Sequence, residues 1–178
     1  GLVSALQPVI SDRGGIWVGW SGDAGEAPEP FSLSRIDNRP VALSRREVER
    51  FYEGFANRTI WPLYHDAIRE PVYSREWWDA HVAVNRRFAD AAADAAPRNA
   101  DVWIHDYHLQ LAPAMLRARR PDLRIGFFLH IPFPPVEIFS RLPWREEVVA
   151  GLLGSDVVGF QTTGEAANFL RTSQASGL

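Results

Sequence analysis

Residues 101–134 read DVWIHDYHLQL, then a helical stretch, then RIGFFLHIPFP. Each half ends an apolar run in titratable side chains: His105, Asp106 and His108 in the first, His130 in the second. A carboxylate accepts hydrogen bonds from hydroxyls, and an imidazole donates, accepts or carries a proton near neutral pH. In an open α/β sheet, ligands bind beyond the carboxyl ends of the strands. Two strands that both end in such groups therefore predict a site. Two readings of Asp106 stay open: an N-cap whose carboxylate accepts backbone N–H bonds, or a carboxylate at the sheet edge that grips a hydroxyl. His130 likewise reads as a satisfied core histidine or as a hydrogen-bonding group facing a ligand, pinned by the prolines of IPFPP. The spacing of His105 and His108 resembles half a zinc site. With no Cys and no HExxH helix, no metal is expected.

Other chemistries find little support. No GxSxG elbow occurs; Ser21 in GWSGDAG matches one only in part. No GxGxxG or Walker sequence is present, so nucleotide phosphates are not expected to bind through such loops. Tyr52 and Trp61 form a further group. Tyr52 lies beside the stripe of Phe51 and Phe55, and Trp61 lies in NRTIWPLYHD, where Pro62 is expected to break a helix. Both read either as core aromatics or as donors to a polar ligand. The chain holds seven Trp and 12% aromatics, which suits a bulky core or a sugar-binding surface.

The elements that must position these groups follow from patterning. Residues 2–10 have helix spacing, with Leu2, Ala5, Leu6, Val9 and Ile10 on one face. A helix with no strand before it suggests that the natural N-terminus lies upstream. Short strands are predicted over 16–20 and 40–43. Ser44 and Glu47 form a capping box that opens a helix carrying Val48, Phe51 and Phe55. Ser74 starts a long helix to about residue 95, striped by Trp77, His81, Val84 and Phe88. Strands are predicted over 102–105, 123–130 and 156–160, the middle one so apolar that both faces should be covered. Helices over 109–119, 136–139 and 145–153 separate them, and a second capping box, Thr162 with Glu165, opens the last helix. The final SQASGL looks frayed or cut. Alternation of strand and helix from residue 101 onward argues for an α/β fold with a parallel, doubly wound sheet.

Composition bounds the rest. The 178 residues suit one domain or a large part of one, with 46% apolar residues for a core. A net charge of −3 and scattered arginines offer no field for nucleic acid. No apolar run approaches the roughly 18 residues that span a membrane, and the start lacks the marks of a signal peptide. A cytoplasmic location is the expectation that fits a chain without Cys.

The segments GIWVGWSG, FYEGFANRTIWPLYH, DVWIHDYHLQLAP, RIGFFLHIPFPPVEIF and DVVGFQT, taken in order, resemble the trehalose-6-phosphate synthase family of retaining glycosyltransferases. The match runs from the first residues to about Arg171, and the 24-residue step from Asp106 to His130 agrees with that family. The resemblance implies two Rossmann-like domains with the active site between them. Residues 1–178 would then be an incomplete N-terminal, acceptor-binding domain. The opening strand with its phosphate-binding Arg and the C-terminal nucleotide-sugar domain would lie outside it. The last residues, RTSQASGL, depart from the family pattern.

The resemblance also implies roles. Tyr52 and Trp61 match residues around the acceptor phosphate, and Trp20 matches an aromatic at the acceptor site. Asp106 matches the carboxylate that binds sugar hydroxyls near the reacting centre, and His130 the histidine that contacts the transferred glucose; both are candidates for the catalytic set. Gly1 matches a glycine of a loop near the donor phosphates. The implied reaction moves glucose from a nucleotide-glucose, UDP-glucose foremost, to glucose 6-phosphate with retention and without a metal or other cofactor. This polypeptide alone would be inactive, and the parent could be a homo-oligomer. Two other readings stay open: a related synthase with another acceptor, such as glycerol 3-phosphate or a pseudo-sugar, and a non-catalytic sugar-phosphate-sensing homologue.

Overall fold

The computed structural model describes residue 12 and residues 14–177. The predicted helix over 2–10, and Gly1, lie outside the described residues. The first sheet is mixed. Strand β1 (Gly15–Gly19) pairs in parallel with β3 (Ile36–Pro40), and β2 (Phe31–Leu33) lies antiparallel on the outer side of β3. The strand predicted over 40–43 is thus displaced toward the N-terminus. Its sequence, IDNRP, alternates half-buried and exposed residues rather than apolar ones. The Val41 N–H still donates to the Gly19 carbonyl at 2.7 Å, and the Val41 and Leu43 side chains fill a small core with Phe51, Val84 and Phe88. The β2–β3 hairpin turns through Ser34 and Arg35, both at positive φ (51° and 65°). Such a turn usually shows itself by Asn-Gly or Asp-Gly, so Ser-Arg hid it.

Helix α1 covers residues 45–64. The capping box forms as predicted: Ser44 Oγ accepts from the Glu47 N–H, and the Glu47 carboxylate accepts from the Ser44 N–H at 2.9 Å. An α turn (Arg45–Glu47) leads into a π-helical run (Val48–Ile60) and a last α turn (Trp61–Tyr64). The break expected at Pro62 does not occur. In an α-helix the N–H that proline lacks would serve the carbonyl of Arg58. Here that carbonyl accepts instead from the Val72 N–H at 2.9 Å, and the Trp61 N–H reaches back five residues to Ala56. The Arg58 carbonyl is therefore satisfied without the missing donor.

Helix α2 (Arg75–Ala95) follows Ser74 as predicted. Its buried stripe is Trp78, His81, Val84, Asn85 and Phe88; Trp77 is only partly buried, beneath the Arg58 guanidinium. The second sheet is fully parallel, in the order β4 (Asp101–His105), β5 (Arg124–Phe128), β6 (Val157–Gly159). Helices α3 (Ala112–Arg119), α4 (Val136–Phe139) and α5 (Arg145–Leu152) lie between these strands, and α6 (Thr163–Ala175) follows them. Thr162 and Glu165 cap α6 reciprocally. Ser173–Ala175, expected within a frayed end, are the last residues of this helix.

The main core lies on one face of the second sheet. Ile104, Ile125 and Phe127 meet Leu111, Leu116, Val148, Val149 and Leu152. Gly151 and Gly154 let the chain around α5 approach residues 110–114 closely, where a Cβ would strike backbone at 2.5 Å and 2.3 Å. The opposite face leaves Trp103 and Val157 exposed, so β5 is not covered on both sides as its apolar run suggested.

His81 sits wholly inside an aromatic cluster, against Phe55, Phe51 and Trp78, with Trp78 stacked on Trp144 at 5.0 Å. Burial, helped by nearby His108, pushes its pKa down to about 3. Below its ordinary value near 6.5 the unfolded chain takes a proton that the folded one refuses, so stability falls as pH drops from about 6.5 toward 3. Urea midpoints measured across that range should fall more steeply for the wild-type chain than for His81→Phe. Parallel curves would contradict this role.

Candidate functional site

The second sheet brings its two sequence-flagged strand ends together. Strand β4 ends at His105 and β5 at Phe128, and these residues are register partners. The ladder extends one step: the Asp106 N–H donates to the Phe128 carbonyl at 2.8 Å. The backbone of Asp106 then turns sharply, at φ 72° and ψ 167°. Non-glycine residues rarely adopt this region, and it costs on the order of 1–3 kcal/mol. The side chain compensates. Asp106 Oδ1 accepts from the Tyr107 N–H at 2.9 Å, capping a 3₁₀ turn (Tyr107–Leu109), and from the His130 N–H at 3.3 Å. One carboxylate oxygen is thus structural. Among the described residues Oδ2 has no protein partner, so the capping role leaves an acceptor open at the rim.

His130 follows from the end of β5. Its carbonyl accepts from the Gln161 side-chain amide, and its Nε2 lies 3.1 Å from His105 Nδ1. His105 is half-buried between Trp103 and His130, and among the described residues its buried Nε2 has no partner. Burial, reinforced by His130 and opposed by Asp106, pulls its pKa down to about 4. His105 is therefore neutral near pH 7.

An aromatic wall rises beside Asp106. His108 packs on Tyr107 at 4.0 Å and stacks on Tyr52 at 5.4 Å; Trp20 meets Tyr52 edge-on at 5.3 Å. Trp20 Nε1 donates to the Asp23 carbonyl at 2.7 Å, which fixes the indole. Tyr107 Oη donates to Asn57 Oδ1 at 3.1 Å and so ties the 3₁₀ turn to α1. Burial, with Asp106 and Tyr52 close by, raises the Tyr107 phenol to about 12 and keeps that donor protonated. Below this layer, buried Asn85 accepts from the Leu111 and Ala112 N–H groups, each at 3.1 Å, and donates to the His108 carbonyl at 3.0 Å. It caps α3 and holds the turn that carries His108.

Two cavities flank this rim. One of about 180 Å³ is lined by Trp17, Trp20, Ser21 and Pro40. The other, about 430 Å³, lies between Tyr64, His65, the Pro132–Pro135 turn and the start of α6. Asp106 and His130 line neither, and both are partly exposed.

A comparison with known proteins identifies the lineage of this arrangement. The model of glycosyltransferase family 20 matches residues 1–176. The chain belongs to glycosyltransferase family 20. The trehalose-6-phosphate synthase of Mycobacterium avium is 58% identical over 178 residues, covering 98% of this chain and 36% of the relative. The family 20 chain thus spans about 36% of the length of that relative. A solved E. coli structure bound with UDP-2-fluoro glucose matches with a TM-score of 0.92 at 34% identity, covering 98% of this chain and 40% of its own. An α,α-trehalose-phosphate synthase (UDP-forming) from Burkholderia xenovorans, in complex with glucose-6-phosphate, matches with a TM-score of 0.87 at 31% identity, covering 98% and 40%. The Rossmann-like α/β reading stands for the family 20 chain.

Of the residues flagged by sequence, the structure joins Asp106 to His130 by a hydrogen bond and Trp20 to Tyr52 by ring contact. Trp61 is exposed and stacks on His65 at 4.1 Å, at the far end of α1 from Tyr52. Gly1 is outside the described residues. His105 and His108, considered as half a metal site, have different neighbours: His130 for the first, Tyr52 and Tyr107 for the second. Sequence reasoning missed Asn57, Asn85 and Gln161. Gln161 had a legible signal, since it closely follows β6 at the same rim as His105 and His130.

If the Asp106 backbone is strained, glycine should relieve it. Asp106→Gly should be more stable to urea than Asp106→Ala by about 1 kcal/mol or more, although both lose the carboxylate. Equal or reversed midpoints would remove the strain from the account.

Proposed function

We propose that this chain forms the acceptor-binding part of an α,α-trehalose-phosphate synthase. That enzyme moves glucose from a nucleotide-glucose, UDP-glucose foremost, to glucose 6-phosphate with retention at the donor carbon. The observation that carries the reading is the Asp106–His130 pair at one rim of a parallel sheet, with one carboxylate oxygen open, in a chain of this family. Support for the two substrates comes from the Burkholderia relative, solved with glucose-6-phosphate, and the E. coli one, solved with UDP-2-fluoro glucose. In this reading residues 1–178 are an incomplete N-terminal domain. A nucleotide-sugar domain in the remaining length of the parent faces the rim, and this polypeptide alone is inactive.

The residues then divide the work. Asp106 Oδ2 accepts from hydroxyls of the acceptor sugar and fixes the attacking oxygen. His130 bonds the transferred glucose from the neighbouring strand end. Tyr52 and Trp61 donate from Oη and Nε1 toward the acceptor phosphate, and Trp20 packs the sugar against the aromatic wall. Retaining glycosidases use two carboxylates about 5 Å apart, one of them a nucleophile. Among the described residues Asp106 has no second carboxylate at a matched position beside it, so in this reading it orients rather than attacks. The acceptor proton then passes to the departing phosphate on the same face. Catalysis rests on holding the two sugars in reacting geometry and on donors aimed at developing charge.

The test uses the full-length parent with UDP-glucose and either glucose 6-phosphate or glycerol 3-phosphate, the product being identified by mass and anomeric coupling. The wild type should make the phosphorylated α,α-disaccharide, and Asp106→Ala should lower kcat/KM by about 10²-fold or more. Preference for glycerol 3-phosphate would overturn the acceptor. Unchanged turnover in Asp106→Ala would overturn the role of the carboxylate.

A further inference from the structure

We infer that His105 is a positioning residue that sets the tautomer of His130, holding the proton on His130 Nδ1 so that this nitrogen presents a donor to the sugar. This inference rests on the reading above that His130 faces the transferred glucose. His105 Nδ1 and His130 Nε2 are 3.1 Å apart, a hydrogen-bond distance that has room for one proton. With one proton on each ring, the pair can share it in two ways. If His130 Nε2–H donates, His105 must carry its own proton on Nε2. Among the described residues that nitrogen is buried without a partner, and a buried N–H without an acceptor is the rarer and costlier fault. If His105 Nδ1–H donates, His105 Nε2 is a bare lone pair in the same apolar setting. His130 Nε2 is then occupied as an acceptor, and its proton resides on Nδ1.

The surroundings favour the second arrangement. The His105 ring is half-buried against Trp103, and among the described residues no acceptor lies within hydrogen-bond reach of its Nε2. The charged or titratable groups that face it are His130, on the neighbouring strand end, and Asp106, next in the chain. Asp106 Oδ1 is already occupied by two backbone N–H groups. Among the described residues His130 Nδ1 makes no hydrogen bond, and it is not one of the buried orphan atoms. The ring nitrogen left for a ligand is therefore Nδ1, and His105 makes it a donor. A hydrogen bond to one ring nitrogen fixing the chemistry of the other is a general property of histidine.

The experiment uses the full-length parent. Three replacements at His105 separate shape from proton placement. Asparagine keeps a donor near the position of Nδ1; aspartate has the same shape but only accepts, so it holds a proton on His130 Nε2 and, assayed at a pH high enough for His130 to carry one proton, leaves Nδ1 bare; phenylalanine offers neither. With UDP-glucose varied at saturating glucose 6-phosphate, His105→Asp and His105→Phe should each lower kcat/KM by about tenfold, the worth of one hydrogen bond. His105→Asn should restore most of it. In ¹⁵N-histidine spectra of the wild type, His130 should show a protonated Nδ1 and a bare Nε2. A protonated Nε2, or equal activity of the asparagine and aspartate variants, would overturn the inference. His130→Ala, measured alongside, separates the two levels. If it leaves kcat/KM unchanged, the reading of His130 fails and this inference with it. If it lowers kcat/KM while His105→Phe does not, only the inference fails.

Discussion

The carboxylate of Asp106 carries two loads, and the site depends on their division. One oxygen closes the turn after β4 by accepting from Tyr107 and reaches across to the His130 N–H at the end of β5. The backbone N–H of the same residue extends the ladder to Phe128. Asp106 thus joins two adjacent strand ends through main chain and side chain together, in a conformation that most side chains avoid. Strain of this kind persists only where the surroundings over-determine it, and here three hydrogen bonds do so. The other oxygen stays at the surface with a fixed direction.

A second layer supports this point. Asn85, wholly buried, spends its amide on backbone groups of the turn and of α3. Tyr107 fastens the turn to Asn57 on α1, the helix that also carries Tyr52 and Trp61. The π-helical winding of α1 widens its turns and places Tyr52 against Trp20 and His108. Such winding is rare and recurs at functional sites. The rim is therefore preorganised by interactions made before any ligand arrives, as electrostatic catalysis requires.

Much of this was legible in the sequence, for identifiable reasons. Asp106 and His130 each end an apolar run, and parallel neighbours bring such ends together. Both capping boxes formed because their hydrogen bonds are local, Ser44 with Glu47 and Thr162 with Glu165. The failures share the opposite cause. Pro62 reads as a break because its remedy, the Val72 N–H on the Arg58 carbonyl, lies beyond any local pattern. The β2–β3 hairpin turns on Ser34 and Arg35, which carry no turn signature, and its polar strand IDNRP lacks alternating hydrophobics. Asn57 and Asn85 act on partners 50 and 26 residues away, distances at which residue type alone carries no message.

A crystal structure of the full-length parent with glucose 6-phosphate and a non-transferable nucleotide-glucose bound is the most direct measurement. The account predicts an acceptor hydroxyl within about 3.2 Å of Asp106 Oδ2, with Oδ1 still on Tyr107 and His130 and the backbone still at positive φ. A sugar lodged instead in the cavity beside Phe133 and Asn168, with Asp106 Oδ2 facing only water, would contradict it.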